Sequence, residues 1–259
     1  MKLAVTNQKG GVGKTTTSVN LAVSLAAMQR RVLLVDLDPQ GHATMGLGVD
    51  KNAVETTVYD VLMEPELGSE ATLHVESAGV DLIASNVDLT GAELELIDYD
   101  RREYRLRCAL SHLPEAGQSY DYILIDCPPS LGLLTLNGLA ASDRVLIPIQ
   151  CEYYALEGLT ALLQTIERVT AGVNPALVVE GIVRTMYDPR NSLTRDVSAQ
   201  LAEHFEAELY RTVIPRNVRL AEAPSYGLAA LHYDKDSSGA KAYLAMAGEL
   251  VRRQDERSA

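Results

Sequence analysis

The sequence of 259 residues has no tryptophan, a single phenylalanine and only three cysteines. The cysteines, Cys108, Cys127 and Cys151, are odd in number and lack C-x-x-C spacing, so a disulfide framework or a cysteine-bound metal is not expected. Apolar runs of bilayer-spanning length and a cleavable signal pattern are also missing. These absences predict a cytoplasmic protein that does not engage a membrane.

Basic residues are few relative to acidic ones. The chain has 23 Lys and Arg against 35 Asp and Glu, a formal net charge of −12. This balance argues against nucleic-acid binding through bulk charge, although a local patch of arginines stays possible. With 47% hydrophobic residues, the chain is long enough to bury a substantial core, and residues 1–259 are expected to form a single domain.

A glycine-rich octet follows the first apolar run of the chain. Its members are Lys9, Gly10, Gly11, Val12, Gly13, Lys14, Thr15 and Thr16. A strand that ends in such a turn before a helix points backbone N–H groups and the helix dipole at one volume suited to phosphate. Lys14 adds a charge for the β- and γ-phosphates, and the Thr15 hydroxyl can reach Mg²⁺. The P-loop pattern G-x-x-x-x-G-K-[ST] is incomplete because Gln8 holds its first glycine position.

Two other apolar runs end in acidic residues. Asp36 and Asp38 follow one run, at the edge where open α/β sheets bind ligands, and they are candidates for contact with metal, water or Lys14. Capping of the helix after Pro39 is the alternative. Asp126 ends the other run, a Walker B pattern that delivers a carboxylate towards Mg²⁺. Convergence of these acids with the octet predicts MgATP hydrolysis, with Asp38 ordering the attacking water and Asp126 in the outer shell of the metal.

Predicted strands and helices alternate along the chain. Strands are predicted at residues 2–7, 31–36, 80–84, 122–126, 144–149, 177–183 and 210–214. Helices are predicted at residues 15–29, 101–113, 155–169, 194–209 and 239–251, followed by a polar tail. Val58, Val61 and Leu62 suggest a further short helix. This alternation is typical of an α/β fold with a mostly parallel twisted sheet and helices on both faces.

The octet, with its additional Lys9, resembles the deviant Walker A box of the ParA/MinD class of ATPases. Residues 34–41, 125–132, 150–158 and 214–227 are similar to the small chromosome-partitioning ParA proteins of the Soj type, so the resemblance runs nearly from end to end. It implies a single-domain P-loop NTPase fold that binds ATP and Mg²⁺. It also implies that Lys9 reaches across a dimer interface to the ATP of the partner subunit.

Further roles are implied by the same resemblance. Lys9, Lys14 and Asp38 are the expected catalytic residues, and Thr15, Asp38 and Asp126 are the expected metal-site residues. Met186, Pro215 and Asn217 are expected near the adenine. Arg190 and Arg219 match arginines that contact DNA in Soj-type relatives, and Arg216 lies in the same arginine-rich stretch. Solvated arginines balanced by nearby acids are the alternative for this stretch.

The implied activity is that of an ATP-dependent homodimer. It would bind double-stranded DNA without sequence preference, associate with the nucleoid and be stimulated by a ParB-like centromere-binding protein. The open alternatives are a MinD-like cell-division ATPase, disfavoured because the polar tail lacks an apolar face, and a nucleotide switch that positions another cargo. Two departures from the family pattern are His42, where Asn is usual, and Leu228-Ala229, which removes a positive charge.

Overall fold

The computed structural model describes residues 1–258. Its strands are β1 (Lys2–Val5), β2 (Val32–Asp36), β3 (Thr72–Val75), β4 (Val80–Ile83), β5 (Tyr122–Asp126), β6 (Arg144–Gln150), β7 (Val178–Tyr187) and β8 (Leu209–Pro215). Its α-helices are α1 (Lys14–Ala27), α2 (His42–Gly46), α3 (Val58–Met63), α4 (Leu89–Glu95), α5 (Arg105–His112), α6 (Leu133–Ala141), α7 (Ala155–Gly172), α8 (Ser192–His204), α9 (Val218–Glu222), α10 (Ala230–Tyr233) and α11 (Ser238–Ser258).

All eight strands belong to one sheet with the order β3-β4-β2-β5-β1-β6-β7-β8. The β3–β4 pair is antiparallel, and the other neighbouring pairs are parallel. The predicted α/β fold with a mostly parallel sheet is therefore confirmed. Because β5 and β6 flank β1, the loop after β1 lies where ligands of open α/β sheets bind.

Helices cover both faces of the sheet, as predicted. Alternate side chains of β1 point to opposite faces: Leu3 and Val5 pack in a core with α1 and α11, whereas Ala4 packs in a core with α3 to α8. Every residue of β2 and β5 is buried. Burial of both faces explains why these strands read as continuous apolar runs rather than as alternating ones.

Six elements had no counterpart among the predicted strands and helices: β3, α2, α4, α6, α9 and α10. The helices α2, α4, α9 and α10 span seven residues or fewer, which is too short to show a helical period. Helix α6 is buried along most of its length, so its sequence lacks the polar face by which amphipathic helices are recognised. Strand β3 is four residues long and lies at an edge of the sheet. Its short, partly exposed sequence gives too weak a period to identify it.

Several predicted boundaries were wrong. Helix α8 ends at His204, five residues before the predicted end, and strand β7 runs four residues beyond Val183. The predicted polar tail instead continues α11 to residue 258. The helix persists there because Arg253 pairs with Glu249 at 3.2 Å and Arg257 forms an ion pair with the buried carboxylate of Glu180.

Candidate functional site

Two glycines of the octet adopt backbone conformations that other residues rarely reach. Gly11 has φ 74° and Gly13 has φ 87°, and α1 begins directly after Gly13. The Thr185 hydroxyl of β7 donates a hydrogen bond of 2.7 Å to the carbonyl oxygen of Val12. The loop between β1 and α1 is therefore both turned by glycine and fastened to a neighbouring strand, as a phosphate cradle requires.

Lys14 is a buried cation at the start of α1. Its side chain is only 7% exposed, and its Nζ donates to the carbonyl oxygen of Lys9 at 3.1 Å. Burial lowers the pKa of Lys14, while the charges of Asp126 and Asp38 oppose that shift. A buried ammonium with a single carbonyl partner retains hydrogen-bonding capacity for an anion such as phosphate.

Asp36 and Asp126 are neighbours in the register of β2 and β5, and both are fully buried. Asp36 Oδ2 accepts hydrogen bonds of 2.8 Å from both the backbone N–H and the hydroxyl of Thr44, and Oδ1 accepts one of 3.2 Å from the Asp38 N–H. Burial raises the pKa of Asp36 to about 6. With its oxygens engaged in this way, Asp36 fixes the loop into α2.

Asp126 differs from Asp36 because one of its oxygens is unpaired. Oδ1 accepts a 2.8 Å hydrogen bond from the Ser18 hydroxyl, whereas the buried Oδ2 has no hydrogen-bond partner among the residues that the structure describes. Burial, followed by the charge of Asp36, raises the pKa of Asp126 to about 8. An orphaned buried carboxylate oxygen can accept a hydrogen bond from the water of a hydrated cation, so Asp126 fits a place in the outer shell of Mg²⁺.

A cavity of about 690 Å³ opens above the phosphate cradle. Asp38 lies in its wall, half-buried, with Oδ1 accepting a hydrogen bond of 2.9 Å from the Gln40 N–H. The cavity is lined by Gly10, Gly11, Gly13, Lys14, Thr15, Thr16, Asp38, Pro39, Gln40, His42, Thr90, Pro129 and Met186. The cavity thus unites the octet, Asp38 and the loop after Asp126, which sequence reasoning placed at one sheet edge.

A second cavity of about 170 Å³ adjoins the first, since Gly13, Thr16 and Met186 line both. Its remaining lining residues are Thr185, Ile214, Pro215, Arg216, Asn217, Leu220, Ala221 and Tyr243. Met186 has φ 49°, a strained conformation for a residue with a side chain. The three residues predicted near adenine therefore lie together in a largely apolar pocket beside the phosphate cradle.

Lys9 does not line either cavity. Its Nζ forms an ion pair with Glu152, and the two side chains are 46% and 45% exposed. Its backbone N–H donates to Asn7 Oδ1 at 3.0 Å, and Asn7 is anchored to the Pro148 carbonyl at 2.8 Å. The backbone of Lys9 is thus held at the start of the loop while its charge points towards the surface.

The three arginines expected at DNA follow the carboxyl ends of the neighbouring strands β7 and β8. Arg190 is 88% exposed and pairs with Asp188 at 2.8 Å, which lowers the pKa of Asp188 to about 2. Arg219 contacts Glu222 at 2.8 Å and Asp234 at 3.3 Å. The side chain of Arg216 is exposed and has no hydrogen-bond or ion-pair partner within residues 1–258.

Sequence reasoning missed the residues that support the site from outside it. Ser18 lies one helical turn after Lys14 and holds Asp126, a relation that the i, i+4 spacing of α1 could have suggested. Thr185 and Glu152 are brought to the loop only by the order of strands, so no local signal marks them. Within residues 1–258, no group of three or more potential metal-ligating His, Cys, Asp or Glu side chains occurs, and no helix there is long and apolar enough to cross a membrane.

The chain is similar to known proteins over nearly its whole length. A family model described as an AAA domain matches residues 1–179. The Bacillus subtilis sporulation initiation inhibitor protein Soj is 52% identical over 96% of this chain and 97% of its own length. The Caulobacter vibrioides chromosome partitioning protein ParA is 51% identical over 99% of this chain and 96% of its own length.

A solved structure shares the fold. The cobyrinic acid a,c-diamide synthase of Mycobacterium smegmatis, determined with a bound ATP analogue and magnesium, is 40% identical to this chain, with a TM-score of 0.84, over 98% of this chain and 95% of that one. The order of the strands, the glycine-rich loop and the similarity to these proteins all indicate the same family. The chain belongs to the family of ParA and Soj chromosome-partitioning ATPases.

Proposed function

We propose that this chain is an ATP-dependent DNA-partitioning ATPase that dimerises on ATP, binds double-stranded DNA without sequence preference and leaves it on hydrolysis. The observation that carries the proposal is the different placement of the two lysines of the loop. Lys14 is buried at the phosphate cradle, whereas Lys9 begins the same loop with its charge outside both cavities. A lysine so placed can serve the nucleotide of a second subunit.

ATP would occupy the two adjoining cavities, which share Gly13, Thr16 and Met186. Its adenine would enter the pocket of Met186, Pro215 and Asn217, and its phosphates would accept hydrogen bonds from the backbone of residues 10–16 and from Lys14. Thr15 and Asp126 would hold Mg²⁺, which would supply positive charge beside the phosphates. The relative solved with an ATP analogue and magnesium supports this assignment.

Asp38 is the residue best placed to orient a water for attack on the γ-phosphate. It lies half-buried in the wall of the larger cavity, and its backbone is fixed because its carbonyl accepts a 2.8 Å hydrogen bond from the Ser85 hydroxyl. Lys14 is the only lysine or arginine among the residues that line this cavity. Since phosphoryl transfer depends on charge neutralisation, one subunit alone should hydrolyse ATP slowly, and Lys9 of the second subunit would complete the site.

DNA binding is assigned to Arg190, Arg216 and Arg219. Their exposure and their position at the ends of adjoining strands allow several guanidinium groups to meet one phosphate backbone. Contacts of this kind carry no sequence information, and they predict binding that weakens with salt despite the acidic net charge. The match to proteins named for chromosome partitioning supports DNA as the molecule that these arginines bind.

A ParB-like centromere-binding protein is the proposed stimulating partner, and the nucleoid is the proposed location. A cell-division positioning ATPase is the second candidate within this fold. DNA retention separates the two, since the second candidate requires none. DNA retention also separates the proposed function from a nucleotide switch that positions a cargo other than DNA.

The proposal is tested by measuring molar mass and DNA retention of the full chain with ATP, with ADP and without nucleotide, at two salt concentrations. We expect dimers and DNA retention with ATP alone, and weaker retention at the higher salt. Dimerisation without DNA retention at low salt would favour the cell-division alternative. Equal behaviour in all three nucleotide states would contradict a nucleotide-driven switch.

A further inference from the structure

A groove of about 450 Å³ lies beside the nucleotide cavity, between α4, α6 and α7. Its apolar lining residues are Ile97, Leu131, Leu133, Leu136, Leu139 and Val169. Ile97 is 53% exposed and Leu131 is 42% exposed. Half-exposed aliphatic side chains around a concave surface are typical of sites that accept apolar side chains of another molecule.

The border of the groove is acidic. Glu93 and Glu103 line it, with Arg102 as the only basic lining residue. One nitrogen of Arg102 donates to the Ile97 carbonyl oxygen at 2.6 Å, so this arginine also holds the groove wall. The charged lining residues are thus two glutamates against one arginine that is already engaged by the wall, which leaves the lining net acidic. An apolar floor with this border is complementary to a segment that is apolar on one side and basic on the other.

Two segments form walls of both the groove and the nucleotide cavity. On α4, Thr90 lines the nucleotide cavity and Glu93 lines the groove, one helical turn later. In the loop after β5, Pro129 lines the nucleotide cavity and Leu131 lines the groove. A molecule seated in the groove therefore contacts the elements that border bound nucleotide.

Glu93 joins these two walls. Its Oε1 accepts a long hydrogen bond of 3.4 Å from the Leu134 N–H at the start of α6. A side-chain carbon added at Gly132 would lie 2.0 Å from the same oxygen, so the carboxylate is seated directly against the loop. A cation that approached Glu93 from the groove would compete with this contact and alter the setting of the loop that follows Asp126.

We propose that this groove is the docking site for a basic amphipathic segment of the partner protein that stimulates hydrolysis. The inference rests on the proposed function, because it supplies the surface through which such a partner acts on the nucleotide site. The apolar face of the segment packs on Ile97 and Leu131, and its basic side chains meet Glu93 and Glu103. Docking shifts the loop after Asp126 and thereby changes the rate of ATP hydrolysis.

The test uses the full chain and a fluorescein-labelled peptide that carries leucine on one helical face and lysine and arginine on the other. A peptide with glutamate in place of the basic residues is its counterpart. Ile97→Ser and Glu103→Lys alter the groove. Leu94→Ser is the matched apolar control, because Leu94 is 73% exposed on the same helix as Glu93 but does not line the groove. Glu76→Lys is the charge control in the turn between β3 and β4.

We expect the basic peptide to bind the wild type and both controls alike, and to bind Ile97→Ser and Glu103→Lys at least about tenfold more weakly. The acidic peptide should not bind, and the basic peptide should change the ATPase rate of the wild type. Equal affinity for groove and control variants, or no binding to the wild type, would overturn the proposal. Loss of ATP-dependent dimers in Ile97→Ser would instead assign the groove to a second copy of the chain.

Failure of the proposed function would give other results than failure of the docking site alone. Nucleotide binding and ATP-dependent DNA retention are measured for the same variants without peptide. If the wild type lacks both, the proposed function fails whatever the peptide does. If both are normal while peptide binding ignores the groove substitutions, only the docking site is wrong.

Discussion

Lys9 and Glu152 form an ion pair that holds the charge of the loop lysine at the surface of the chain. Glu152 lies just after β6 and Lys9 just after β1, and these two strands are neighbours in the sheet. Each side chain is about half exposed. An exposed pair of this kind contributes about 0–1 kcal/mol, so it can orient Lys9 without preventing its transfer to another partner.

Release of Lys9 should favour the dimer. We expect Glu152→Gln to tighten ATP-dependent dimerisation by up to about fivefold, since the Lys9 side chain no longer has to leave a carboxylate. Sedimentation equilibrium with ATP measures the effect. Glu157→Gln, an exposed carboxylate on α7, is the matched control. Weaker dimerisation of Glu152→Gln would show that Glu152 itself contacts the second subunit.

Removal of Asp38 should stop the cycle after ATP binding. We expect Asp38→Ala to lower the hydrolysis rate by at least about 100-fold, because a positioned carboxylate no longer orients the water, whereas Lys14 still binds phosphate. The ATP-bound dimer should then persist on DNA, as read by phosphate release and by DNA retention. Asp50→Ala removes an exposed carboxylate outside the cavity and should leave both unchanged. Wild-type hydrolysis by Asp38→Ala would refute the assignment.

The three arginines should not contribute equally to DNA binding. Within residues 1–258, Arg216 has no carboxylate at hydrogen-bond or ion-pair distance and is attracted by Asp188 only at longer range, whereas Arg190 and Arg219 must leave ion pairs with Asp188, or with Glu222 and Asp234. We therefore expect Arg216→Ala to weaken binding most and to reduce the slope of log affinity against log salt by about 0.9. Fluorescence anisotropy over a salt series measures both quantities, with ATP at saturation for each variant because Arg216 also lines the cavity proposed for adenine. Arg168→Ala, on the exposed side of α7, should change neither, and an unaltered slope for Arg216→Ala would place the DNA surface elsewhere.

Glu249 should stabilise the edge strand in a pH-dependent way. Its carboxylate accepts hydrogen bonds from the N–H groups of Arg211 at 2.8 Å and Thr212 at 2.9 Å. Burial alone would raise the pKa of Glu249, but these donors outweigh burial and hold the pKa below its ordinary value. Glu249→Gln should therefore lower the free energy of unfolding by about 1–3 kcal/mol at neutral pH.

The sign of the pH effect follows from the lowered pKa. The carboxylate contributes its full stability above the unfolded pKa of about 4.3 and loses that contribution as pH falls through the folded value. Urea unfolding at about pH 7 and about pH 3 should show that the difference between wild type and Glu249→Gln shrinks in acid. Glu256→Gln, nearby but exposed, is the control. A difference that does not change with pH would contradict this role of the charge.

The order of strands explains what the sequence could predict. The octet, Asp38 and Asp126 each end an apolar strand, so their meeting at one sheet edge followed from the fold class. The partners of Lys9 and Asp126 were less accessible, because Glu152 reaches Lys9 only through the β1–β6 pairing. Helix α6 was not predicted because burial on most sides removes its polar face. Local pattern thus identified the reactive groups, while tertiary packing determined what each one contacts.

The central claim is that Lys9 makes ATP the link between two subunits. Its most direct test is the molar mass of Lys9→Ala with ATP, measured by light scattering beside a nucleotide-binding titration of the same sample. We predict wild-type nucleotide affinity and a monomer under conditions in which the wild type is dimeric. ATP-dependent Lys9→Ala dimers in wild-type yield would contradict the claim.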